Sequence, residues 1–213
     1  MNKQKKITRR QVQKEDTRKI ILHAAYSLFS EKGYTKTTMR ALAERAGVGL
    51  GTIFKHFPDK PSLLVAAYQE DLAGIISEAF ASIPETGLKS QLLHVTGKIY
   101  DFYANDPPFS RALIKESLFL EGIHGKMLDM ELLTFLNEIA GLFRKAKAGG
   151  ELATDTNEHE AALVFGSFYF STLVMGLKQP DFNTKQQLKL VELMIEKYLI
   201  GKTCNGEKNG DKS

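Results

Sequence analysis

The 213-residue chain is 43% hydrophobic and 25% charged, a composition typical of globular proteins that argues against wholesale disorder. Its net charge of +4 is unevenly distributed: residues 1–60 hold 14 Lys or Arg against 5 Asp or Glu, whereas the remainder holds 15 against 20. This asymmetry indicates a polyanionic partner for the first part only.

Cysteine usage and hydropathy suggest a compartment. The single cysteine, Cys204, excludes an intrachain disulfide and fits a reducing, cytoplasmic environment. No apolar segment follows the basic N-terminus, so no secretory signal is predicted. Residues 161–177 are uncharged and reach the short limit for crossing a bilayer. Because this stretch also contains glycines and hydroxyl side chains, we interpret it as a helix buried in a core or a dimer interface.

Apolar residues recur with helical spacing along almost the whole chain, which predicts an all-α fold. Residues 1–15 are polar and basic and are predicted to form a flexible arm. Asp16 or Thr17 can cap a first helix, which Gly33 would end.

Three further helices follow before residue 84. Thr37 or Thr38 can cap a short second helix that ends at Gly47, and a third is predicted from about Leu50 to His56. Asp59 is predicted to cap the fourth helix, which tolerates a proline in its first turn. Longer helices are predicted at about residues 88–104, 109–120, 126–147, 158–177 and 184–200, before a disordered tail over 201–213.

The informative segment covers residues 38–60 and reads TMRALAERAGVGLGTIFKHFPDK. A short amphipathic helix, a glycine turn and a second short helix are the parts of a helix-turn-helix. Ile53 and Phe57 are predicted to anchor the second of these helices in the core. The residues predicted to face outward, toward thymine methyl groups and phosphates, are Thr52, Phe54, Lys55 and His56.

Residues 17 to about 72 resemble the DNA-binding domain of TetR-family regulators. The resemblance rests on IILHAAYSLFSEKGY, TTMRALAERAGV, GTIFKHFPDK and the SLL that follows. Beyond this segment the chain matches only in its layout of long helices and in a KAGGEL turn before the penultimate helix. The resemblance implies an all-α protein with an N-terminal three-helix helix-turn-helix DNA-binding domain and a larger C-terminal helical ligand-binding and dimerisation domain. The expected bounds are 1–15 for the arm, 16–60 for the first domain, 61–200 for the second and 201–213 for the tail.

The resemblance also implies individual roles. Thr38 would cap the second helix and touch phosphate, and Lys60 would reach phosphate from the start of the fourth helix. The chain departs from the family pattern at Gly49, at Leu50 and at Phe54, where tyrosine is usual. The residues predicted to contact DNA are Thr38, Leu50, Gly51, Thr52, Phe54, Lys55, His56 and Lys60. Whether the arm residues Lys3, Lys5, Lys6, Arg9 and Arg10 also enter a minor groove is left open.

Eleven of the 20 aromatic residues lie between residues 100 and 170. Core packing accounts for most of them, but together with the resemblance they indicate a hydrophobic ligand pocket. The predicted wall consists of Phe102, Phe119, Phe135, Phe165 and Tyr169. The resemblance further implies a homodimer formed through the last two helices, at about 158–177 and 184–200.

The predicted function is that of a ligand-responsive transcriptional regulator, a repressor released from its operator by a small hydrophobic molecule. The alternatives are a DNA-binding regulator or architectural protein without an effector, and an all-helical enzyme or lipid carrier. The glycines at 47, 49 and 51 do not suggest a nucleotide loop, because a helix rather than a strand precedes them. The histidines lack metal-ligand spacing and no catalytic motif is evident, so no catalytic residue, cofactor or metal is predicted.

Overall fold

A computed structural model describes residues 8–200, so the predicted tail, Cys204 and the arm lysines lie outside the described residues. The described chain is all-α, as predicted, with no strand between residues 8 and 200. The helices are α1 (Arg9–Lys32), α2 (Met39–Ala46), α3 (Leu50–His56), α4 (Lys60–Ala81), α5 (Leu88–Asn105), α6 (Pro107–Ser117), α7 (Gly122–Ala148), α8 (Glu158–Leu177) and α9 (Thr184–Ile200).

The chain divides into two compact units. The first unit contains the described chain up to Asp71 together with Arg111–Lys126. Its core is built from apolar residues of the first four helices, among them Ile21, Phe29, Leu42, Ile53, Phe57 and Leu63. The second unit contains Leu72–Ser110 and the described chain from Met127 onward, and in it α5 and α8 both pack against α9.

The start of α1 differs from the prediction at Asp16 or Thr17. The helix begins seven residues earlier than Asp16, at Arg9, because Thr8 and Gln11 form a reciprocal capping box. The Gln11 backbone N–H donates to the Thr8 hydroxyl oxygen at 3.3 Å, and the Thr8 N–H donates to the Gln11 Oε1 at 2.8 Å. This first part of α1 is exposed, so it has no apolar stripe by which its helical period could be recognised.

Two more helix starts differ from the prediction. Helix α6 begins at Pro107 rather than Phe109, because prolines are tolerated in a first turn whose N–H groups have no helical partner. Helix α7 begins at Gly122 rather than near Lys126. A Cβ on Gly125 would collide with the carbonyl of Leu120, so only glycine allows the first turn of α7 to fold back onto the preceding loop.

Helix α8 is the one described helix long and apolar enough to span a bilayer by these measures. Its most apolar 18-residue window has a mean hydropathy of 1.4, and 39% of that window is buried within the chain. The buried side packs in the second unit, whereas Leu163 and Met175 are exposed. This pattern fits the predicted core or interface helix, whose free side would be covered by another protein surface.

Candidate nucleic-acid interface

Helix α3 is held by a buried side and presents an open side. Ile53 and Phe57 have no exposed surface, which confirms that they anchor the helix. On the other side Phe54 is 47% exposed, and Gly51 and Lys55 are also exposed. The half-buried residues of the predicted DNA-contacting set in α3 are Leu50, Thr52 and His56. The helix therefore offers an apolar ring beside a cation, the combination suited to base and phosphate contacts.

Helix α2 is fixed at both ends by the residues predicted to do so. The Ala41 backbone N–H donates to the Thr38 hydroxyl oxygen at 3.2 Å, which confirms Thr38 as the cap. At the other end Gly47 adopts a left-handed conformation with φ of 64°, which confirms that the helix stops there. The Thr38 side chain is exposed, and a phosphate contact from it stays a prediction.

An exposed cluster of polar side chains joins α1 to α2. The guanidinium of Arg45 donates to both carboxylate oxygens of Glu31, at 2.7 and 2.8 Å, and to the Ser27 hydroxyl at 2.6 Å. The hydrogen bonds from Arg45 and Ser27 lower the pKa of Glu31 to about 2. This bidentate pair orients the helix that braces α3.

The ring of Phe57, at the C-terminal end of α3, is enclosed by residues from distant parts of the first unit. The imidazole of His124 stacks on it with ring centroids 5.7 Å apart, and the Arg18 guanidinium lies 5.8 Å from its centroid. His124 is 7% exposed, and burial lowers its pKa below the ordinary 6.5. It therefore packs as a neutral ring that helps to set the position of α3. No local pattern could have identified this role, because 67 residues separate the two rings in sequence.

Lys60 has partners within its own unit. Its ammonium donates to the carbonyl oxygens of Tyr34 and Thr37, each at 3.0 Å, and lies 4.2 Å from the centroid of the Tyr34 ring. These contacts hold the loop that leads into α2, with Thr38 at its end. The structure thus gives Lys60 a positioning role, and its reach to a phosphate stays a prediction.

His56 is half-buried near several cations. Burial lowers its pKa below 6.5, and the neighbouring charges of Lys14, Lys55 and Arg18 lower it further. The imidazole is therefore predominantly neutral near pH 7 in the free protein. A phosphate placed beside it would favour the protonated form.

The second unit brings together several aromatic residues of the predicted pocket. The Phe135 and Tyr169 ring centroids lie 5.6 Å apart, and Phe165 is 2% exposed. Phe102 contacts Tyr103 edge-on at 5.4 Å. Phe119 is placed elsewhere, in the first unit, where 90% of its surface is exposed.

Sequence reasoning did not single out Tyr100, which lies at the centre of this aromatic cluster. Its ring stacks on Tyr169 at 5.5 Å, and its hydroxyl donates to the Tyr169 carbonyl oxygen at 2.6 Å. The hydroxyl also pairs with the Thr172 hydroxyl at 2.5 Å. Tyr103 is buried as well, and burial raises its pKa to about 12. Both tyrosines lie on the buried side of α5, which is where helical periodicity could have placed them.

The helix-turn-helix segment matches a known family. The family model described as bacterial regulatory proteins, tetR family, matches residues 21–67, which run from the core of α1 into α4. The chain belongs to the TetR family.

Relatives of this TetR-family chain are transcriptional repressors. The HTH-type transcriptional repressor KstR of Mycobacterium tuberculosis is 29% identical over 164 residues, covering 76% of this chain and 71% of that protein. The counterpart from Rhodococcus jostii is 27% identical and covers 87% of this chain and 84% of that protein. The family is one of DNA-binding transcription regulators rather than enzymes.

The fold of this TetR-family chain also matches solved structures. Thermus thermophilus FadR, a TetR-family repressor solved in complex with lauroyl-CoA, superposes with a TM-score of 0.69 at 21% identity, covering 92% of this chain and all of that one. Bacillus subtilis FadR, solved with stearoyl-CoA, gives a TM-score of 0.63 at 22% identity and covers 83% and 97% of the two chains. These likenesses support the all-α architecture of an N-terminal helix-turn-helix domain followed by a helical domain.

Proposed function

We propose that this protein is a cytoplasmic homodimeric repressor that leaves its operator when a small hydrophobic molecule binds its second unit. The observation that carries the proposal is α3, a helix anchored by Ile53 and Phe57 whose opposite side exposes Phe54 and Lys55. A solvated helix has little use for a half-exposed aromatic ring, whereas a major groove offers it thymine methyl groups.

The proposed contacts divide into two kinds. Lys55, His56 and Thr38 would contact phosphates and would therefore contribute equally on every sequence. Leu50, with Gly51, Thr52 and Phe54, would meet base edges and set the preferred operator. Lys60 would act by holding the loop before α2, and a direct phosphate contact by its ammonium would require release from Tyr34 and Thr37.

Fluorescence anisotropy on the protein's own upstream region would test this division. Lys55→Ala should weaken binding on all sequences and reduce the slope of log affinity against log salt by about 1. Leu50→Ala should instead change the ranking of operator variants. The matched control is Lys145→Ala, which removes an exposed charge from the second unit. Equal losses from Lys55→Ala and Lys145→Ala, or an unchanged ranking with Leu50→Ala, would contradict the assignment.

The effector is proposed to bind in the second unit, against the aromatic cluster of Phe135, Phe165, Tyr169, Tyr100 and Phe102. These residues offer an apolar surface with a few polar groups, the composition typical of ligand sites. FadR structures with lauroyl-CoA and stearoyl-CoA suggest a long acyl chain as the first ligand to test. Effector binding and DNA binding would be linked reciprocally, with a typical coupling of about 1–3 kcal/mol.

Titration of the protein–operator complex with lauroyl-CoA tests the effector, with free CoA as the control ligand. Lauroyl-CoA should release the operator with an affinity change of about 5–150-fold, and CoA should not. Phe135→Trp should blunt the release without changing DNA affinity, because it fills space at the cluster. Phe119→Ala serves as the matched aromatic change, since Phe119 is 90% exposed. Release that does not depend on the acyl chain, or no release, would instead favour a regulator without this effector.

A further inference from the structure

The turn between α8 and α9 forms an open cavity of about 460 Å³ within the second unit. This volume lies within the range of small-molecule sites, about 300–1,000 Å³. The aromatic cluster does not line the cavity, so it is a separate site from the one proposed above. The wall residues that carry the argument are Met175, Asp181, Asn183, Gln187 and Leu190.

One wall residue, Gln187, is buried with an unpaired polar atom. Only 3% of its surface is exposed, and its Oε1 accepts no hydrogen bond from any described residue. Gly176 makes this burial possible, because a Cβ there would lie 2.8 Å from Gln187 Cγ and 2.6 Å from Phe182 Cε2. A buried acceptor without a donor destabilises a fold, so the cavity is where a donor would come from.

The rest of the wall defines the chemistry of that donor. Asp181 is the one charged side chain among the described residues lining the cavity, and it is exposed. Asn183 is already engaged, since its Oδ1 accepts from the Gln186 backbone N–H at 3.0 Å. Met175 and Leu190 supply apolar surface. The cavity thus combines a buried acceptor, a carboxylate and a hydrocarbon face.

We propose that this cavity binds a small organic ammonium ion. An ammonium N–H donates to Gln187 Oε1, the positive charge lies toward Asp181, and the hydrocarbon part packs on Met175 and Leu190. A charged donor makes a stronger hydrogen bond than a neutral one, which favours an amine over an alcohol. The neighbouring Lys178 and Lys185 do not line the cavity.

Occupancy of this cavity has a direct route to the aromatic cluster. Gln187 and Phe182 pack on the same glycine, Gly176, and the Phe182 ring contacts Tyr100 edge-on at 5.6 Å. An ion that holds the Gln187 side chain would therefore also restrict Phe182 and, through it, Tyr100. This makes the cavity a second input to the same helical unit.

Calorimetric titration of the full-length protein, without DNA, tests the proposal with hexylammonium, hexanol and hexanoate. Hexylammonium should bind saturably at one site per chain, hexanol several-fold more weakly, and hexanoate not at all. Gln187→Met and Asp181→Asn should each weaken hexylammonium binding by roughly tenfold. Asp155→Asn, an exposed acid of the same unit outside the cavity, is the matched control.

The outcomes separate clearly. Absent or non-saturable binding, equal binding of hexanoate, or an unchanged affinity in Asp181→Asn would overturn the proposal. Because Asp181 is exposed, Asp181→Asn decides the question even if Gln187→Met does not fold. Hexylammonium binding that appears only when the dimer is diluted to monomers would show that a second copy fills the cavity, which also overturns it. Since no DNA is present, failure here leaves the proposed repressor function untouched.

Discussion

At the scale of single residues, the environment of His56 determines how DNA binding should respond to pH. Its pKa in the free protein lies below 6.5 because of burial and the nearby charges of Lys14 and Lys55. A DNA phosphate beside the imidazole would raise that pKa, since an anion favours the charged form. Binding would then take up a proton, and mass action makes such binding tighten as pH falls.

We therefore expect operator affinity to increase as the pH is lowered from about 8 toward the free-protein pKa of His56, and to level off below it. His56→Gln keeps a hydrogen-bonding side chain but cannot take up a proton, so it should flatten this dependence. The measurement is operator affinity against pH at constant ionic strength. An equally steep profile in His56→Gln would assign the linkage to another group, with His124 the next to test.

Residue roles in the site were predictable only in part. Ile53 and Phe57 were recognisable as anchors because their spacing of four places both on one side of a helix. The partners of Lys60 were not recognisable, because Tyr34 and Thr37 are 26 and 23 residues away in sequence. A long flexible side chain at the start of a helix can turn toward solvent or toward the chain's own carbonyls, and only the folded neighbours decide which.

At the scale of elements, the glycine turn between α2 and α3 sets where the recognition helix begins. Gly47 has φ of 64°, a conformation that costs an L-residue roughly 1–2 kcal/mol. Gly51, two positions after Gly49, lies inside α3 with no positive φ, and an added Cβ there would meet nothing within 4 Å. The two glycines therefore make an informative pair.

Gly47→Ala should lower the free energy of unfolding of the first unit by about 1 kcal/mol and weaken operator binding, because the turn is strained. Gly51→Ala should leave stability unchanged or raise it by roughly 0.5 kcal/mol, since alanine is the better helix former. Denaturant unfolding followed by circular dichroism measures both. Equal destabilisation by the two substitutions would argue that the conformation of Gly47 is not what the turn requires.

At the scale of the whole molecule, exposed apolar residues on the last two helices call for a partner surface. Leu163 and Met175 of α8 are 57% and 53% exposed, and Leu193 and Ile200 of α9 are 50% and 72% exposed. Exposed apolar area of this kind is typical of protein interfaces. We propose that a second copy of the chain covers it, so that each dimer presents two copies of α3 to DNA.

Leu193→Lys should convert the dimer to a monomer, because it would place an unpaired charge inside a desolvated interface. Operator binding should fall with it, since two half-sites need two linked recognition helices. Sedimentation velocity gives the oligomeric state and anisotropy the affinity. Met130→Lys on α7, at a residue that is 68% exposed, is the matched control. A dimer that survives Leu193→Lys but dissociates with Met130→Lys would move the interface to α7.

The sequence by itself determined the helical architecture and the helix-turn-helix. Caps, glycine stops and apolar spacing act within about four residues of one another, which is why α3, α8 and α9 were predicted at their observed bounds. The tertiary structure decided which side chains meet: His124 on Phe57, Lys60 on the carbonyls before α2, and Gln187 buried at the α8–α9 turn. Those contacts join residues far apart in sequence or depend on packing from several helices, so only the folded core brings them together.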